Sequence, residues 1–245
     1  MNAGSGLIVI ALAWLSVRQG AVDGIDTVPT DWRSLTRGHG VLVAIDCRGH
    51  VQTSIDGGHW TPREARIPFA LHSVAFGQGR FVAVGNEGAI VTSEDGVTWT
   101  SRDAGTDERL RGITWADGVF VAVGYTGTIL TSRDGARWTR RDSGTDQRLQ
   151  AIAHGRDIFV AVGWNGVILT SAGGGRWSRQ SSGTVVHLRR VTCSNGVFVV
   201  FGDAGAMFIS TSGTNWSSVS PLAAILEEKS KPTRPTGRKP RKAQQ

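Results

Sequence analysis

The chain has 245 residues, enough for one well-buried domain, with 33 glycines, two cysteines and a formal charge of +7. Two cysteines exclude a disulfide framework, and abundant glycine beside short β-branched runs suits an all-β protein rich in tight turns. Seven basic residues from Lys229 to Lys242, set against Glu227 and Glu228, supply five of the seven net charges, so the body keeps an ordinary surface of about +2.

In chain order, residues 6–17 form the one long apolar run. A dozen apolar residues are too few to span a bilayer comfortably and fit the core of a signal peptide. Residues 1–21 therefore read as an export signal cleaved after Ala21, although no Lys or Arg precedes the run and Gln19 stands where a small residue is wanted. The other reading is an apolar N-terminal segment packed on the domain.

From residue 26 to residue 220 the chain repeats every 39 residues, in five copies marked by Trp60, Trp99, Trp138, Trp177 and Trp216. In the third copy, Leu110 to Trp115 alternates large and small side chains as a strand does. Asp117-Gly118 signals a two-residue hairpin, and Val119 to Gly124 is a β-rich buried run. A turn at Tyr125 to Gly127 leads to Thr128–Ser132, and Asp134-Gly135 reverses the chain toward Trp138. Four short antiparallel strands in about 40 residues is the spacing of a propeller blade. The expected fold is a five-bladed β-propeller. Beyond Pro221 a short helix over 222–229 and a disordered basic tail to 245 are expected. Cys47 and Cys193 fall on opposite faces of such a unit, about one strand length (roughly 17–20 Å) apart, and should be free thiols.

Each Trp closes a phrase such as Ser93-Glu94-Asp95-Gly96-Val97-Thr98-Trp99. Asp56, Asp95 and Asp134 should cap their turns by accepting backbone N–H groups a residue or two ahead, with the following Gly supplying positive φ. Each Trp should lay its face on the neighbouring sheet and donate its indole N–H to a carbonyl. These are jobs for the fold. The last two copies lack the Asp but keep Gly and Trp, so packing outranks the cap.

The phrase resembles the Asp-box, or bacterial neuraminidase repeat, and Phe120-Val121-Ala122-Val123-Gly124 with Thr128–Ser132 looks most like the photosystem II stability/assembly factor-like proteins. The resemblance covers about residues 32–220 and implies a propeller; here Asp-to-Trp is four residues rather than the family's five. Its enzymatic branch, the sialidases, implies a Tyr nucleophile, an acid/base Asp and three clamping arginines. The one tyrosine, Tyr125, lies in a turn whose counterparts are Cys47, Asn86, Trp164 and Asp203. Arg66-Ile67-Pro68 matches the sialidase opening letters but sits in the first inter-blade connector. A carbohydrate-active enzyme with a degenerate site is thus the alternative to a non-enzymatic binding module. The six histidines lack metal-ligand spacing, and no cofactor motif or phosphate loop is present, so no metal or cofactor is expected.

Comparison of the copies locates the site instead. Positions that repeat serve the fold, and positions that differ are free for something else. The second–third turns and the inter-blade connectors share the face opposite the tryptophan turns, and there the copies differ. Tyr125, Trp164, Asn86, Asp203 and Asn165 are the candidate ligand contacts, with the two aromatics expected either to stack on a sugar or peptide or to pack on adjacent blades; the ligand would be a protein, peptide or glycan. Arg109 and Arg148 are expected to pair with Asp107 and Asp146. The tail could touch an anionic polymer weakly through charge alone, while specific nucleic-acid recognition and a transmembrane span are not expected.

Overall fold

The computed structural model describes residues 32–46, 48–64 and 68–219. The N-terminal apolar run, the basic tail and Cys47 lie outside them; Cys193 is a free thiol. Twenty strands form five antiparallel sheets of four, each sheet ordered as in the chain. Blade 3, for example, comprises Leu110–Ala116, Val119–Gly124, Ile129–Ser132 and Thr139–Arg141. The expected β-propeller is the fold observed. No helix among the described residues is long and apolar enough to cross a membrane.

The uninterrupted second strands explain how the blades cohere. In Val119–Gly124 alternate side chains point to opposite sheet faces, yet both faces are buried because a blade is stacked on each. Phe120 and Ala122 enter the core shared with blade 2, beside Val82, Val84 and Ile90. Val121 and Val123 enter the core shared with blade 4, beside Phe159 and Ala161. The large Phe on one side and small β-branched Val on the other let the sheets interdigitate at close range. The first–second hairpin places both Asp117 (φ 50°) and Gly118 (φ 73°) at positive φ, the geometry of a type I′ turn.

Four such cores join the five blades among the described residues. The outer faces of blades 1 and 5 are correspondingly open. Leu35 of blade 1 is 49 % exposed where its counterpart Val74 is 4 % exposed, and Ile209 of blade 5 is 37 % exposed. Among the described residues the five blades form an arc with two uncovered ends.

Candidate functional site

The tryptophan turns are built as the phrase demands. Asp95 Oδ1 accepts the N–H groups of Val97 and Thr98 at 2.8 Å each and the Ser93 hydroxyl at 2.9 Å. The bonds thus come from two and three residues ahead, one farther than the sequence suggests. Ser93 Oγ in turn accepts from Gly96 N, and the Trp99 indole donates to Gly96 O at 3.1 Å. Asp56 with Trp60 and Asp134 with Trp138 repeat this arrangement. Backbone donors hold the Asp95 carboxyl down at about 2, with Thr98 and Val97 as the largest causes. Trp177 and Trp216, whose turns have no Asp, still donate to Gly174 O and Gly213 O.

On the other face, the second–third turns are stitched to the connectors on both sides. Tyr125 N donates to Arg109 O and Gly127 N to Gln147 O, each at 2.9 Å; Trp164 N donates to Arg148 O and Gly166 N to Val186 O at the same distance. Gly127 is obligatory here, since a Cβ would lie 1.8 Å from Thr145 O at a φ of +63°. This stitching delivers connector arginines onto the turn aromatics. Arg109 lies 5.3 Å and Arg148 4.5 Å from the Tyr125 ring centroid. Arg148 also lies 4.1 Å from the Trp164 centroid, and the His187 ring stacks on Trp164 at 4.5 Å and 10°. Arg189 lies 5.8 Å from the same Trp164 centroid, so Arg109, Tyr125, Arg148, Trp164, His187 and Arg189 form one cluster of guanidinium groups and rings.

The rings of Tyr125 and Trp164 are contacted by the protein's own arginines and, for Trp164, by His187. Arg109 and Arg148 make no ion pair with Asp107 or Asp146; cation–π contact holds them instead, worth about 0.5–1 kcal/mol each at exposed sites.

A second group of cations lies beside this cluster. Every blade has an irregularity in the pairing of its first and second strands, and it falls each time at one repeat position: Arg33, His72, Arg111, Gln150 and Arg189. A bulge leaves its residue without an opposite partner and re-aims the side chain. Here it turns five equivalent side chains out of the ladders. Arg33 Nη1 and His72 Nδ1 are 3.0 Å apart, and His72 Nε2 is 2.6 Å from Asn86 Oδ1. Arg33 can only donate, so Nδ1 accepts and the proton sits on Nε2, pointing at Asn86. Burial pushes the His72 imidazole down to about 4, and Arg111, Arg33 and Arg109 add to this while Asn86 opposes it. Burial likewise lowers Arg111, helped by Arg33, Arg109 and Arg189. The group therefore gathers mutually repelling cations.

The remaining candidates join the same face. Asp203 takes a bidentate pair from Arg189, 2.7 Å on each arm, which holds the carboxyl below its usual range. It is the one carboxylate bonded to these arginines among the described residues. Asn165 donates to Gln147 Oε1 at 2.7 Å, and its backbone N–H reaches His187 Nδ1 at 3.1 Å. Beside it a hollow of about 790 Å³ is lined by Asn165, Arg179, Ser182 and Thr184, with Val185 on its rim. No group of three or more metal-ligating side chains occurs among the described residues. Of the histidines on first strands, His72 joins the cationic group, whereas His154 pairs with Asp117 at 2.7 Å across blades 3 and 4. Sequence reading missed Arg33, Arg111 and Arg189. Their signal was the 39-residue column they form with His72 and Gln150.

No family model and no curated protein matches the chain. Solved structures do. YCF48 from Cyanidioschyzon merolae is similar at 17 % identity and a TM-score of 0.57, over 77 % of this chain and 71 % of that one. A YCF48 bound to D1 peptide gives 18 % identity and a TM-score of 0.61, over 79 % and 70 %. A chain of the nidogen/laminin complex gives 14 % and 0.59, over 78 % and 81 %. At these identities the likeness is one of fold: all are similar in their propeller architecture.

Proposed function

We propose that the chain is a non-enzymatic binding propeller that seats an acidic segment of a protein or peptide on the face opposite the tryptophan turns. One observation carries the reading: Arg109, Arg148, Arg33, Arg111 and Arg189 converge there, held by rings and bulges, against the single bonded carboxylate of Asp203. Like charges crowded at partly buried positions cost the fold free energy, and a ligand carboxylate relieves that cost. Arg is suited to the task, since its planar fork matches a carboxylate in two parallel bonds. Tyr125 and Trp164 act as spacers that keep the forks in place. The neighbour solved with a bound peptide and the neighbour from a protein–protein complex support this reading by analogy of architecture.

A glycan ligand is the weaker reading, since the protein's own arginines already contact both rings. A glycosidase needs two carboxylates converging on the scissile bond, and this constellation brings arginines together with one paired Asp. The test is a peptide array probed with the full chain, comparing acidic peptides with their amidated counterparts and with a glycan panel. Acidic peptides should be retained and the amidated ones lost; preference for glycans or indifference to charge would overturn the reading.

A further inference from the structure

The tryptophan-turn face repeats because it serves the fold, yet blade 2 departs from the pattern there. At the start of its second strand stands Arg80, where blades 1, 3, 4 and 5 have Val41, Val119, Ile158 and Val197. Its stem lies beneath the turn of blade 3, with Cδ 3.4 Å from where a Cβ on Gly135 would sit. Its Nε–H is buried with no acceptor. Its one ion pair, Nη2 to Glu94 Oε1, is long at 3.8 Å, and the Glu94 side chain is 82 % exposed. Such a pair is weak and screened by salt. A buried guanidinium donor left without an acceptor costs the fold free energy and returns nothing to it.

Arg80 opens onto a hollow of about 350 Å³ that Thr92, Glu94, Asp95, Thr98 and Arg102 also line. Arg102 is fixed along it by donating Nε to Thr92 Oγ1 at 2.9 Å, a bond that Arg63 and Arg141 repeat in blades 1 and 3. The nearby Asp95 Oδ1 is fully engaged by its turn. Blade 2 alone therefore adds a second guanidinium beside the repeated one, with hydroxyls between them.

We propose that this hollow is a second binding site, independent of the arginine face, for a small oxyanion: a free sulfate or phosphate, or the carboxylate of a small polar molecule. The anion accepts from the Arg80 guanidinium and from Arg102, and displaces Glu94 toward solvent. Volume, donor geometry and the one-blade substitution all fit this chemistry. The Arg80 stem takes the packing place that Val119 and Ile158 fill in the sister blades, and the guanidinium beyond it is what blade 2 adds.

The test is a titration of the full chain at constant ionic strength, read at the arginine Nε–H resonances by NMR. Sodium sulfate is the first probe and sodium acetate the second. The Arg80 signal should shift and saturate. Arg80→Val, the residue three sister blades use, should abolish that response, and Arg80→Lys should weaken it about tenfold by removing the planar fork. Glu94→Gln should tighten binding about threefold by removing the competing carboxylate. Response to sulfate alone assigns a free inorganic anion; equal response to acetate assigns a carboxylate carried by a larger molecule. A shift that never saturates, or sulfate binding unchanged in Arg80→Val, overturns the proposal. Because Arg148→Ala should leave the Arg80 response intact, the two sites stand or fall separately.

Discussion

Among single residues, the repeated Asp and Trp divide their work unequally. Asp95 satisfies two backbone donors at the surface, and blade 4 manages the same turn with Gly173. Asp95→Ala should therefore cost only about 0.5–1 kcal/mol, like a lost helix cap. Trp138 packs against the core between blades 2 and 3, and Trp138→Ala should cost about 2–3 kcal/mol, some way below a fully buried Trp. Thermal melts of the two variants check the order; equal losses would contradict it. His72 gives a pH prediction. Its folded value, about 4, lies below the ordinary 6.5, so as pH falls the unfolded chain takes up a proton first. The contribution is complete above about pH 6.5 and is lost as pH falls toward 4. Nitrogen NMR should show a neutral, Nε2-protonated ring down to about pH 5, and a His72 titrating near 6.5 would contradict the buried, cation-surrounded position.

At the level of elements, the second–third turn and its two flanking connectors act as one unit, because backbone hydrogen bonds join all three. The turn position that holds Tyr125 and Trp164 also accepts Asn86 and Asp203, so the fold does not need an aromatic there. Alanine at both Tyr125 and Trp164 should leave the melting temperature within a few degrees of wild type. Acidic-peptide affinity should nevertheless fall about tenfold, since Arg148 loses both rings that hold it. Collapse of the fold would show that the rings serve packing alone.

The limit of sequence reading lies at this same level. Blade boundaries, turn types and the tryptophan hydrogen bonds were legible because each rests on local chemistry repeated five times. Trp164 and Tyr125 stand out as outliers in a repeated column, but the groups against their rings do not. What contacts each ring depends on residues 16 positions away, Arg109 for Tyr125 and Arg148 for Trp164, brought over by the connectors. The bulges at Arg33, Arg111 and Arg189 left no local trace, since they arise from strand pairing.

For the whole molecule, four inter-blade cores among five blades make stability a sum of neighbour terms with weak ends. Hydrogen exchange should show the second strands of blades 2, 3 and 4 most protected, and those of blades 1 and 5 opening first. Uniform protection across the five blades would contradict an arc with two uncovered ends. The fold also concentrates charge: it gathers Arg33, Arg109, Arg111, Arg148 and Arg189 on one face. The most direct measurement of that claim is calorimetric titration of one acidic peptide into the full chain and into Arg148→Ala, at several salt concentrations. The account predicts at least about tenfold weaker binding for the variant and a shallower dependence on salt. Equal affinity and equal salt dependence in the two proteins would contradict it.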